Sequence, residues 1–204
     1  MNQEYVNMME TMAASMGAAS SFSSLLSLAG YVFSALAIYT IAQRREINHA
    51  WMAWIPLINV WILGSISDQY RYVDRGETRN KRKVLLALNI TNCVLAVIGT
   101  IMVVVSIVST ILAIDSGAYI NEVELLGKVL LSFLIFVPVA ILGIVSFIIQ
   151  AIALYDLYTS CDPANNVLYL VLSLIPALSA ITRPLFLFLC RNKDEGMPPR
   201  QETL

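Results

Sequence analysis

Asp156 follows Tyr155 near the end of one long apolar run, and Arg183 lies inside another. A charged group in hydrocarbon is costly, so each marks a tie between helices or a site facing a wet cavity. Polar residues with similar placement accompany them. Tyr39 and Gln43 end the first apolar run, Asn59 interrupts a short one, Asn89 and Asn92 flank Thr91 in the second long run, and Gln150 lies in the third. Those in the three long runs collect toward one end, and Asn59 and Arg183 would sit at the same depth in the shorter, broken runs. Tyr39, Gln43, Asn59, Asn89, Asn92, Gln150, Asp156 and Arg183 are therefore a candidate polar pocket open to the cytoplasm. The plainer alternative is a set of structural hydrogen bonds in which Asp156 and Arg183 neutralise each other.

Catalytic chemistry finds little to stand on. Hydrolysis by paired intramembrane aspartates needs a second aspartate, after Gly-x-Gly, to share a proton with the first. No Gly-x-Gly-Asp occurs; "GSISD" (64–68) is the nearest stretch and lacks a glycine. His49 is the only histidine and has no nucleophile partner in sequence. Neither a Gly-rich phosphate loop, a His-rich metal cluster nor a G-x-S-x-G motif is present. Cys93, Cys161 and Cys190 are odd in number without C-x-x-C spacing, which reads as free thiols. The expectation is a non-enzymatic protein with no catalytic residue, metal or cofactor.

The elements that position these residues follow from composition. Hydrophobic residues make up 58% of 204 and charged ones 13%, about half the usual charged share of a soluble domain. The chain reads as an all-α integral membrane protein of one domain. Crossing the hydrocarbon takes about 20 apolar residues, and the runs 22–42, 84–114 and 129–155 are long enough. The runs 51–66 and 167–190 are doubtful, the first broken at Pro56 and the second at Pro176 and Pro184.

Lys and Arg collect on the cytoplasmic side of short loops, and that bias decides between topologies. If all five runs cross, six basic residues fall on each side. If both broken runs enter and leave on the same side, Arg44, Arg45, the six of 71–83, Arg191, Lys193 and Arg200 share one side and only Lys128 lies opposite. The expected topology is three transmembrane helices, N-terminus outside and C-terminus inside, with two re-entrant or interfacial helical hairpins on the cytoplasmic side. An external tail (1–21) and an external acidic loop (115–128) then face a basic cytoplasmic loop (67–83) and a cytoplasmic tail (191–204).

Trp51, Trp54 and Trp61 in "WMAWIPLINVWILGS" (51–65) read as interfacial anchors for the first hairpin, with Pro56 permitting its turn. In "RYVDRGETRNKRK" (71–83), Arg71, Arg75, Arg79, Lys81, Arg82 and Lys83 are placed to bind lipid headgroups. No basic leader precedes the first apolar run, so no signal cleavage is expected. Tyr5 and the methionines 8, 9, 12 and 16 suit either a short amphipathic helix on the membrane surface or a frayed tail. The C-tail "RNKDEGMPPR" (191–200) reads as exposed and extended.

An internal repeat is suggested by "ALAIYTI" (35–41) and "AIALYDL" (151–157). Each is followed by a polar link, an Ile-Pro break (Ile55-Pro56, Ile175-Pro176) and a basic segment. Two parallel helix-plus-hairpin units joined by the middle helix would result. Ser23, Ser27, Gly30 and Ser34 on the first helix, and Ala140, Gly143 and Ser146 on the third, form small-residue stripes for close packing.

"AWMAWIPLINVWILGSISD" (50–68) resembles a motif of small bacterial multi-pass inner-membrane proteins of uncharacterised activity, a Trp-x-Ala-x-Ile-Pro-x-x-Asn core carried here by Trp51, Ala53, Ile55, Pro56 and Asn59. The resemblance implies a bacterial inner-membrane location and transfers no functional residue. The expected function is a scaffold or accessory subunit of a membrane complex. The alternative is a small transporter, channel or insertase-like protein using the cytoplasm-facing pocket. Expected partners are the lipid bilayer and a membrane protein or second copy, with no nucleic acid.

Overall fold

The computed structural model describes residues 3–116 and 122–198, and all regular structure among them is helical. The elements are α1 (Gln3–Arg44), a 3-10 turn (Ala50–Trp54), α2 (Asn59–Arg75), α3 (Lys81–Asp115), α4 (Glu122–Leu134), α5 (Phe136–Cys161), α6 (Asn166–Leu174) and α7 (Pro176–Cys190). Three helical stretches are long and apolar enough to cross a membrane: Ser20–Arg44, Lys81–Asp115 and Phe136–Cys161.

Several boundaries differ from those the sequence suggests. The N-terminal segment is no separate tail, because from Gln3 onward it continues into α1 without a break. At 1.5 Å per residue α1 is about 63 Å long, roughly twice the hydrocarbon thickness. The third long run splits at Ile135, where α4 ends and α5 begins. Pro138 falls in the first turn of α5, where its missing N–H costs no helical hydrogen bond. At its other end α5 runs past 155 through "DLYTSC", carrying Asp156 inside the helix.

The first hairpin and the basic loop are also redrawn. The segment 50–58 is a 3-10 turn followed by a non-helical bend around Pro56, and α2 then continues to Arg75. Arg71 and Arg75 therefore lie on a helix, which ends at Gly76 in a left-handed conformation (φ 68°) that suits glycine. The second hairpin turns at Ile175–Pro176, with Pro176 as the first residue of α7. Thr182 Oγ1 donates to Leu172 O across the pair (2.8 Å). Pro184 does not break α7 as expected. The carbonyl its ring cannot serve, Ala180 O, lies where Gly30 of α1 has no side chain, 3.1 Å from the position of an added Cβ.

The packing is reciprocal. The 3-10 turn lies on α1 and α6 on α5, while α2 reaches across to α5 and α7 reaches across to α1. Tyr31 Oη donates to Trp54 O (2.7 Å), which holds the 3-10 turn alongside α1. The long helix α3 runs antiparallel to α5, with Asn92 opposite Gly143 and Gly99 opposite Phe136. Where α2 crosses α3, Gly64 is so close that a Cβ would stand 2.7 Å from Arg82 Cα.

The core gathers at one end. Ile38, Ile41, Ile62, Leu63, Ile66, Leu85, Leu154, Leu157, Tyr158 and Leu187 are buried where α1, α2, α5, α7 and the start of α3 meet. Farther along, α1, α3 and α5 expose Leu25, Leu28, Val97, Ile101, Val105, Ile141 and Ile144. An apolar surface of that extent suits lipid and not water.

Candidate functional site

The packed end is tied by carboxylates that each collect groups from several elements. Asp156 of α5 is 1% exposed. Arg71 binds it side-on, Nη2 donating to Oδ1 (2.9 Å) and Nε to Oδ2 (3.0 Å). Lys81 Nζ and Ser67 Oγ both donate to Oδ2, each at 2.5 Å. Ser67 and Arg71 are four residues apart and so share one face of α2, while Lys81 is the first residue of α3. One carboxylate thus holds α2 and α3 onto α5.

Asp68, one residue along, accepts from the backbone N–H groups of Lys81 (3.1 Å) and Arg82 (3.2 Å). It serves the orphan donors at the start of α3 that Asn80 does not cap. Burial pushes the Asp68 carboxyl above its ordinary value, against the pull of those two N–H groups.

A second clasp holds the C-terminal segment. Arg45, 4% exposed, donates from Nη2 to Asp194 Oδ1 (2.8 Å) and to Ser160 Oγ (2.9 Å). Arg44 Nη2 donates to Asp194 Oδ2 (2.5 Å), and Arg44 Nη1 to Arg191 O (2.8 Å). Lys193 Nζ donates to Asp162 Oδ2 (2.8 Å). That ammonium, with Asn165, holds the Asp162 carboxyl below its ordinary value, and Asp162 in turn raises Lys193. Gly196 lies so close to Thr159 that a Cβ there would stand 2.0 Å from the Thr159 carbonyl oxygen. Residues 191–198 are thus docked against α1 and α5, not extended, because their charges find buried partners; residues 199–204 lie outside the described residues.

The eight residues of the candidate pocket do not gather in one place. Asp156 pairs with Arg71 and Lys81, not with Arg183. Tyr39 rests against the Trp54 ring and Gln43 is exposed. Asn59 is the half-buried first residue of α2. Asn89 Nδ2 and Asn92 Oδ1 are buried on α3 without a hydrogen-bond partner among the described residues. Of the eight, Gln150 and Arg183 line one cavity together. Its volume is about 290 Å³, and its lining includes Phe147, Leu154, Ser173 and Ser179 between α5 and the α6–α7 hairpin.

The basic cluster divides. Arg71 and Lys81 turn inward, their side chains 16% and 11% exposed. Arg75, Arg79, Arg82 and Lys83 stay exposed, with Arg75 paired to Asp74, Arg79 to Glu77, and Arg82 over the Trp61 ring at 5.9 Å. Trp51 and Trp54 are exposed, whereas Trp61 is half-buried. Cys161 and Cys190 are buried free thiols and Cys93 is half-buried. Among the described residues no group of three His, Cys, Asp or Glu is placed to hold a metal ion.

Sequence reading missed Arg45, Asp162 and Asp194. The available signal was the run "RNKDE" (191–195), whose mixed charge lies beyond the last apolar run, opposite Arg44 and Arg45. No family model, no curated protein and no solved structure matches the chain.

Proposed function

We propose that this protein is a non-enzymatic scaffold or accessory subunit of a complex in a bacterial inner membrane, N-terminus outside and C-terminus inside. In this reading the two segments 50–58 with α2, and α6 with α7, dip into the cytoplasmic leaflet as re-entrant hairpins. The exchange of α2 and α7 between α5 and α1 supports a duplicated helix-plus-hairpin unit. The observation that carries the reading is that Asp156 is closed off by Arg71, Lys81 and Ser67. A carboxylate so enclosed fastens helices; it does not serve a wet path. The residues left outward there, Arg75, Arg79, Arg82 and Lys83, form a basic rim suited to headgroups and to an acidic partner surface.

Isolation of the full chain from its own membrane in mild detergent tests this. A stoichiometric partner is expected to survive with the wild type and with Asn92→Leu, and to be lost with Arg75→Glu combined with Arg79→Glu. A chain isolated alone, whose solute flux in proteoliposomes is abolished by Asn92→Leu, would instead establish the transporter or channel reading. That reading is favoured by one observation, the cavity shared by Gln150 and Arg183.

A further inference from the structure

Arg183 makes no hydrogen bond or ion pair with any described residue, although it lies on α7 against a cavity among membrane-type helices. Its guanidinium stays charged at any pH a protein survives. A charge so placed is costly unless an anion joins it. Arg45 and Arg71 show how this fold treats its other enclosed guanidiniums: each is given an aspartate. Arg183 has been given a space.

The chemistry of the space narrows its occupant. The guanidinium fork matches the paired oxygens of a carboxylate or phosphate. Beside it, Gln150 Nε2 is a further donor, shared with Ser146 Oγ at 3.2 Å. The remaining walls are mainly apolar, from Phe147, Leu154 and Leu174, with Ser173 and Ser179 as further hydroxyls already bonded to Tyr158 and to Pro176 O. Phe147 is exposed and so leads outward onto the apolar surface of α5. At about 290 Å³ the cavity lies at the lower edge of ligand pockets, which run roughly 300–1,000 Å³. It has room for a headgroup, with a chain leaving over the apolar rim.

We propose that the cavity between α5 and the α6–α7 hairpin binds one oxyanion carried on an apolar tail, with Arg183 as its counter-ion. The oxyanion is either the phosphate of an anionic phospholipid or the carboxylate of a fatty acid. The proposal stands apart from the scaffold reading, since it requires neither a partner protein nor a given topology.

Native mass spectrometry of the delipidated full chain tests it, with phosphatidylglycerol, oleate and uncharged diacylglycerol titrated separately. One bound phosphatidylglycerol or oleate is expected at a concentration about tenfold below that needed for diacylglycerol, which carries no oxyanion, the factor a charge-assisted hydrogen bond gives. Whichever of the two binds tighter names the source. Arg183→Gln should remove the preference, and Arg191→Gln, which deletes an equal charge stacked on Phe188, should keep it. No anionic preference in the wild type, or the same preference in Arg183→Gln, overturns the proposal. Should Arg183→Gln not fold, photoactivatable analogues of phosphatidylglycerol and palmitate decide with the wild type. Adducts on 147–154 and 176–183 are expected, and adducts confined to other segments overturn it.

Discussion

Arg71 of α2 binds Asp156 of α5 side-on across 85 residues of sequence, and the carboxylate it holds is shared with the first residue of α3. The ion pair is therefore the joint at which three helices meet. Asp156→Ala leaves Arg71 and Lys81 enclosed without a counter-charge and is expected to cost about 3–5 kcal/mol, the usual penalty for removing one partner of a buried pair. Reversible unfolding in mixed micelles measures it. A loss below about 1 kcal/mol, the scale of a surface pair, would mean that water already enters the site.

Gly64 sets how closely α2 approaches α3. An added Cβ would meet Arg82 backbone at 2.7 Å, and backbone cannot swing away as a side chain can. Gly64→Ala should destabilise by about 1–3 kcal/mol, the range for overpacking. Gly127, where a Cβ meets nothing within 4 Å, is the control: Gly127→Ala should be neutral or slightly stabilising in the same assay.

Docking of 191–198 carries a pH signature. Asp162 has a lowered pKa in the folded state, so its contribution is present above its ordinary value and lost as pH falls through the lower folded one. Lys193 is raised, so its contribution is present below its ordinary value and lost as pH rises through the higher folded one. A spin label at Glu195→Cys should stay immobile across neutral pH and loosen below about pH 4 and above about pH 10.5. Loosening centred between about pH 5 and 8, where a histidine would titrate, would point to another group.

The docked segment also depends on Gly196, which has no room for a side chain beside the Thr159 carbonyl. Gly196→Val should mobilise the same label at neutral pH while leaving the unfolding midpoint nearly unchanged. An immobile label in Gly196→Val would contradict the close approach.

The three long apolar helices were legible because hydrophobicity over some 20 residues is a property of a window and needs no knowledge of neighbours. Pro176 was legible as a break because proline acts on its own chain. Pro184 misled for the complementary reason: the space beside its ring and the Ala180 carbonyl is left by Gly30, on a helix at the far end of the sequence. The polar residues were found, but not their partners. Asp156 could be recognised as costly in an apolar run, yet nothing in the letters distinguishes Arg183 from Arg71 as its counter-charge. That choice depends on α2 crossing to α5, a tertiary fact. Arg44 and Arg45 entered the sequence reading as topology signals, and their second role, clasping Asp194, required the chain to return to them.

The central proposal is three crossings with both Pro-broken segments returning to their own side. With Cys93, Cys161 and Cys190 replaced by serine, single cysteines at Glu10, Arg79, Ser116, Ala164 and Glu195, all exposed, can be probed in whole cells with an impermeant maleimide. Labelling of Glu10→Cys and Ser116→Cys alone is the predicted result, with the other three reacting only after lysis. Labelling of Arg79→Cys, Ala164→Cys or Glu195→Cys from outside would contradict it.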